Sequence, residues 1–166
     1  VRAGILTAAS ILEAHGGIIE VIDSSSLQES AYLWLELVAT DIQQLFLAGI
    51  DQLASDGARI FVSAMLRLNG EPGLDRFVGG DFQTYDAILG PVSSRNPFPV
   101  GFDVAGADSA RSVLESQTLT VTVNLLGLPA VAVPVAVSRG IPQAVQLIGP
   151  SFQEMRILDL AGMIER

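Results

Sequence analysis

The run from Ser116 to Ser138 carries no charged residue and is as long as a membrane span, and it constrains the fold more than any other stretch. A spanning helix would have to continue through Gly127, Pro129 and Pro134 and place Asn124 in lipid. Proline lacks the N–H that a helix interior needs and clashes with the preceding turn, so two prolines and a glycine break such a helix. The β-branched residues around them, including Val131 and Val133, suit strands buried in a protein core. No membrane partner is expected.

A chain of 166 residues has the length of one ordinary domain, taken here as 1–166. Apolar residues make up 49% of it and the mean hydropathy is +0.47, high for a free-standing domain whose surface must be polar. Either the core is unusually apolar or one face meets more protein. Eighteen acidic residues stand against nine basic ones, for a net charge of −9, and the basic residues are scattered. No patch is available to neutralise phosphates, so nucleic acid is not an expected partner. All nine basic residues are arginine and the chain contains neither lysine nor cysteine. Disulfides, thiolate metal sites and cysteine nucleophiles are excluded. The start, Val1-Arg2-Ala3-Gly4, has no initiator Met and no leader pattern; it reads as a chain entered mid-sequence, and a cytoplasmic location is expected.

Apolar side chains at Ile5, Ala8, Ala9 and Leu12 mark one face of a helix over Arg2–His15, stopped by Gly16-Gly17. Ile18–Ile22 reads as a short strand and Asp23–Ser26 as a turn, with Ser26 and Glu29 forming a capping box for a helix to about Phe46 or Leu47. A further helix is predicted over Ala58–Leu68, closed by Asn69-Gly70 and Pro72-Gly73. Ala87–Leu89 reads as a buried strand and Val92–Ala107 as a long loop. Asp108 or Ser109 is the expected cap of a helix to about Asn124, although the β-branched run Thr118–Val123 also suits a strand. Ala130–Val133 and Val145–Ile148 form a hairpin-like strand pair around the turn Ser138–Pro142. Ser151 and Glu154 supply another capping box for a final helix bearing Met155, Leu158, Ala161 and Ile164. Strands alternating with helices predict an α/β layer with a mixed sheet.

Candidate chemistry is sparse. No glycine-x-serine-x-glycine elbow occurs, and the one histidine, His15, precedes a helix-ending glycine pair, where its role is to meet the carbonyl end of the helix dipole. Asp75, Asp81, Asp86, Asp103 and Asp108 lack the spacing that places carboxylates around one cation and read as loop and capping residues. Asp23-Ser24-Ser25-Ser26 fails as an Asp-x-Ser-x-Ser metal motif because Leu27 follows. Ser93-Ser94 lie between Val92 and Arg95 without flanking glycines, so the backbone is poorly suited to present N–H groups to an oxyanion; they read as turn residues. No dinucleotide or phosphate-loop pattern is present, and no cofactor is implied.

From Asn124 onward the sequence Asn-Leu-Leu-Gly-Leu-Pro-Ala-Val-Ala-Val-Pro-Val-Ala-Val-Ser-Arg-Gly-Ile-Pro-Gln-Ala-Val-Gln-Leu-Ile-Gly-Pro resembles the late block of the amidase-signature family. Asn124, Gly127, Pro129, Pro134, Pro142, Gln146, Gly149 and Pro150 match its spacing, and the final helix ends on Ile164-Glu165. Tyr85–Pro91 is similar to the family's Asp-to-Pro strand, and the opening helix running into His15-Gly16-Gly17 to its mid-chain helix and strand. The resemblance spans nearly the whole chain, thinly between Gly49 and Thr84. Ala136 and Ala144 depart from it, standing where the family usually has glycine.

The resemblance implies hydrolysis of a small amide by a serine nucleophile, a second serine in a cis peptide and a lysine that takes the proton, all in the N-terminal half of the family's domain. The physical need is plain: an amide carbonyl requires an activated hydroxyl and fixed donors for the developing charge. Without lysine this chain cannot assemble that set, and arginine, always protonated, cannot replace it as a base. The expectation is therefore part of the amidase-signature mixed sheet covered by helices, with the N-terminal half missing, no catalytic residue of its own, and one wall of a substrate pocket. The alternative is a catalytically silent relative acting as a binding module that complements a separate N-terminal half; a homo-oligomer is the other partner the reading allows.

Overall fold

The computed structural model describes residues 1–22, 25–42, 49, 54–65 and 84–165. Within them lie helices α1 (Arg2–Ala14), α2 (Ser25–Asp41), α3 (Asp56–Met65), α4 (Ala107–Ser116), α5 (Thr118–Leu126) and α6 (Glu154–Glu165). The strands are β1 (Ile88–Pro91), β2 (Ala130–Ser138) and β3 (Ile141–Ile148), and a 3-10 turn covers Phe102–Val104.

The sheet has the order β1-β3-β2, and β3 pairs antiparallel with both neighbours. Ile148 faces Ile88 on one side and Ala130 on the other, and Val145 faces Pro91 and Val133. The expected hairpin is present and longer than predicted, because Arg139 and Gly140 both take positive φ, 52° and 78°. Positive φ at both turn residues matches the right-handed twist of the flanking strands. Opposite Ala144 and Gln143, β2 carries an extra residue between Pro134 and Ala136, a bulge that bends its outer half.

Alternation along β3 separates two cores. Val145 and Leu147 join Val133 of β2, Ala8 and Leu12 of α1, and Ala161 and Ile164 of α6. Ile148 turns the other way, onto Ile88, Val123 and Leu119. The result is an α/β layered arrangement, with α1 and α6 on one face of the sheet and α5 on the other. The final helix packs on the hairpin as the sequence predicts. A third cluster, centred on Leu35 and Leu114, joins α2 to α4.

The α1 stop follows the glycine pair. Gly16 has φ +90° and the Gly17 N–H donates to the Leu12 carbonyl at 3.0 Å; a Cβ on Gly17 would sit 3.0 Å from that same oxygen. Several local readings need correction. Ile18–Ile22 is irregular rather than a strand, with no ladder bond to β1. Neither Asp108 nor Ser109 caps α4; the helix opens after Gly106, no side chain caps it, and Asp108 lies in its first turn, where a negative charge meets the positive end of the dipole. Ser151 does not cap α6, because the helix starts three residues later. The Gln153 carbonyl accepts from Ile157 N–H, Glu154 is already helical, and Phe152 takes a left-handed turn at φ 64°.

The α3 cap is Ser55, whose Oγ accepts from Ala58 N–H at 3.3 Å, so the helix opens earlier than predicted. The helix expected to Asn124 is two helices broken at Gln117. Thr118 donates to the Glu115 carbonyl across that break, and Val121, Thr122 and Val123 are buried. Burial overrides the strand preference of the β-branched run. The side chains of Ser26 and Glu29, and Asp23, Ser24, Phe46, Leu47, Leu68 and the turn at Asn69–Gly73, lie outside the described residues.

Two substitutions probe the core. Leu147→Ala should lower stability by about 2–5 kcal/mol, read from the urea midpoint, because the cavity left in the α1/α6 core cannot collapse. Gly149→Ala should lower it by about 1–3 kcal/mol, because a Cβ there would stand 2.5 Å from Ile157 Cγ2.

Candidate functional site

The stretch from Asn124 to Pro150 builds one continuous wall. Gly127 ends α5 in the left-handed region (φ 59°, ψ 33°), and Leu128 N–H reaches back to the Val123 carbonyl at 3.2 Å. Val123 and Leu128 also meet in the apolar cluster around Ile148, which completes the glycine stop. Pro129 then leads into β2, and its carbonyl accepts from Gly149 N–H at 2.9 Å where β3 leaves the sheet. Glycine is required at 149 because Ile157 of α6 packs against its α-carbon.

The wall meets β1 at a corner held by three polar ties. Gln146, almost fully buried, donates through Nε2 to the Pro91 carbonyl at 3.1 Å, and Thr120 Oγ1 donates to the Val92 carbonyl at 2.8 Å. Ser94 N–H donates to the Ser116 carbonyl at 2.8 Å. The first two capture carbonyls that the ladder no longer satisfies as the chain leaves β1, and the third captures the last carbonyl of α4. Gln146 belongs to the sequence block singled out above, whereas Thr120 was hidden in a run that reads as apolar and β-branched.

Ser93 and Ser94 are loop residues with trans peptides; Ser93 Oγ accepts from Arg95 N–H at 3.3 Å. His15 ends α1 with Nδ1 donating to the Ile11 carbonyl at 2.8 Å, the helix-end role predicted for it. It lines a cavity of about 510 Å³ with Glu20, Tyr85 and Asp86 at the start of β1, while the serines follow the other end of that strand. The structure does not bring histidine and serine together. The carboxylates are equally dispersed. Asp86 pairs with Arg156 of α6, Asp103 lies in the 3-10 turn and Asp108 opens α4. Asp75 and Asp81 lie outside the described residues, among which no group of three potential metal ligands occurs.

Ala136 and Ala144 are exposed strand residues, and neither has positive φ. Alanine therefore introduces no backbone strain at either place. Ala132, Pro134, Pro142 and Ala144 are likewise exposed, on the sheet face that α5 covers only in part. Among the described residues no helix is long and apolar enough to cross a membrane; the uncharged run is divided between α5 and β2.

The fold and this wall define the class: a helix-covered sheet carrying an amidase-type late block. The family model described as Amidase matches residues 71–158, and the chain belongs to that family. It is similar to the glutamyl-tRNA(Gln) amidotransferase A-chain protein of Exiguobacterium sp. (strain ATCC BAA-1283 / AT1b), 34% identical over 85 residues. It is 41% identical over 86 residues to the second such amidotransferase protein of Clostridium acetobutylicum, and 39% identical over 87 residues to the one from Azotobacter vinelandii. These matches cover 51%, 51% and 52% of this chain but 17% of each relative, so the chain spans a small part of their length.

Gln146→Leu should leave the Pro91 carbonyl without its buried donor and cost about 1–3 kcal/mol of stability, measured by denaturant unfolding. Thr120→Val, removing the neighbouring tie, should compound that loss non-additively in a double-mutant cycle, because both ties hold one corner.

Proposed function

We propose that these residues are the C-terminal share of an amide hydrolase, supplying sheet scaffold and one wall of a pocket for a small amide. The observation that carries this reading is the conjunction of an amidase wall with a chain that has no lysine. The activated serine, its partner serine and the proton-accepting lysine belong, on this reading, to residues outside the chain, and none of the residues here is catalytic. The wall then contributes shape and fixed carbonyl positions rather than a nucleophile. The relatives are named for an amidotransferase acting with glutamyl-tRNA. Scattered arginines on a chain of net charge −9 favour a contact with a small amide here rather than with RNA. A cytoplasmic setting is part of the same proposal.

The second reading is a silent relative that binds or complements a separate N-terminal half. The exposed Ala132, Pro134 and Ala144 favour a covering partner under either reading. The coding sequence upstream of Val1 separates the two: an in-frame lysine with a Gly-Ser-rich run supports the first, and a stop codon followed by a start near Val1 supports the second.

The isolated chain should neither turn over a panel of aryl and aliphatic primary amides nor react with a fluorophosphonate that labels activated serines. Loss of a general base and of oxyanion donors removes contributions of about several kcal/mol each. Labelling of any serine, or turnover that scales with chain concentration through repurification, would overturn the assignment of chemistry to residues outside the chain. Mixing with an N-terminal half from a related amidase should restore turnover if the wall is used as proposed.

A further inference from the structure

We propose that residues 18–22 close onto the outer edge of β1 as a fourth strand, parallel to it, and thereby eliminate the cavity between that edge and helices α1 and α6. Among the described residues β1 pairs with β3 on one side only, so its other row of N–H and C=O groups has no ladder partner there. The segment already runs beside that edge. Glu20 Oε2 accepts from the Tyr85 hydroxyl at 2.8 Å, and Ile22 packs into the cluster containing Ile88. Because Glu20 meets Tyr85 and Ile22 meets Ile88, the two stretches run in the same direction.

Alternation then fixes which side chains go inward. With Ile22 against Ile88 on the α5 face, Val21 and Ile19 point to the opposite face, where Ala87 and Leu89 of β1 already lean on the α1/α6 core. That is the face of the cavity of about 510 Å³, whose floor includes Leu12, Leu89, Leu147, Leu160 and Met163. In the open arrangement Val21 is 100% exposed and Ile18 91%, although the sequence Ile-Ile-Glu-Val-Ile is strand-forming. Closure places Val21 and Ile19 over that apolar floor, gives β1 a neighbour on both sides, and makes the sheet mixed, as strand and helix alternation predicts. It also holds from its second side the strand whose far end forms the Gln146 and Thr120 corner.

The absence of cysteine makes a direct test simple, because two introduced cysteines are the only thiols present. In the full chain, Val21→Cys with Ala87→Cys should form an intramolecular disulfide in a glutathione buffer, in clearly higher yield than Ile18→Cys with Ala87→Cys, whose side chains point to opposite faces. Independently of register, hydrogen exchange at the amides of residues 18–22 should be slowed about tenfold or more relative to the Val21→Asp variant. Retained protection in the β2–β3 hairpin shows that this variant still folds. Equal cross-linking of the two cysteine pairs, or exchange of residues 18–22 at the rate of an unstructured chain in the unsubstituted protein, overturns the proposal.

Discussion

Every layer of this structure depends on the burial of β3. Val145, Leu147 and Ile148 are fully or almost fully buried, and each contributes roughly 1.5–3 kcal/mol by leaving water. Because successive side chains of a strand point to opposite faces, the same three residues anchor helices on both sides of the sheet. The position is central in hydrogen bonding as well, since among the described strands β3 alone pairs with both others. A one-residue slip of β3 would exchange Leu147 with Gln146 and put a carboxamide into the α1/α6 core, so the hydrophobic pattern fixes the register.

The chain's stops and corners are then set by backbone chemistry. Gly16 and Gly127 let α1 and α5 end abruptly and turn back toward the sheet, each followed by an N–H that returns to a carbonyl five residues earlier. Pro129 and Pro134 exclude helix beyond α5 and force the uncharged run into β2. Pro134 and the bulge beside it also interrupt the exposed edge of β2, which lowers the capacity of an apolar nine-residue strand to pair with another chain. The features that break a membrane helix therefore also restrain edge pairing in the folded sheet.

How much of this was legible in the sequence varies with the reach of the forces involved. Helix stops at glycine pairs, the hairpin and the final helix follow from local rules, and they appear where the residues predict. The capping boxes were less legible: Ser151-x-x-Glu154 has the right composition, yet the turn at Phe152 delays the helix and Gln153 takes the cap position. Ile18–Ile22 has strand composition, but a strand needs a neighbour to pair with, and sequence composition does not show whether that pairing is made. Thr120 was missed because its hydroxyl is used for a carbonyl 28 residues away, a relation with no local signature. His15 was read correctly because its partner, the Ile11 carbonyl, lies one helical turn away.

The wall also explains why a family of hydrolases can contain a stretch with so little chemistry of its own. Catalysis of amide cleavage depends on donors and a base held in fixed positions, and fixed positions require a surrounding shell that does not yield. The corner at Pro91 and Val92 is of that kind: two carbonyls released from the ladder are each captured by a side chain from a different element, so the backbone there cannot shift without breaking both. Neutral ties serve this purpose better than ion pairs would. An exposed pair such as Arg156 with Asp86 is screened by solvent and contributes at most about 1 kcal/mol, whereas an unpaired carbonyl beside buried Gln146 would carry its full desolvation cost. Arginine, the chain's only strongly basic side chain, can support such an outer shell but cannot take a proton from a nucleophile, so the residues present here suit the shaping of a pocket and leave proton transfer to groups of another kind.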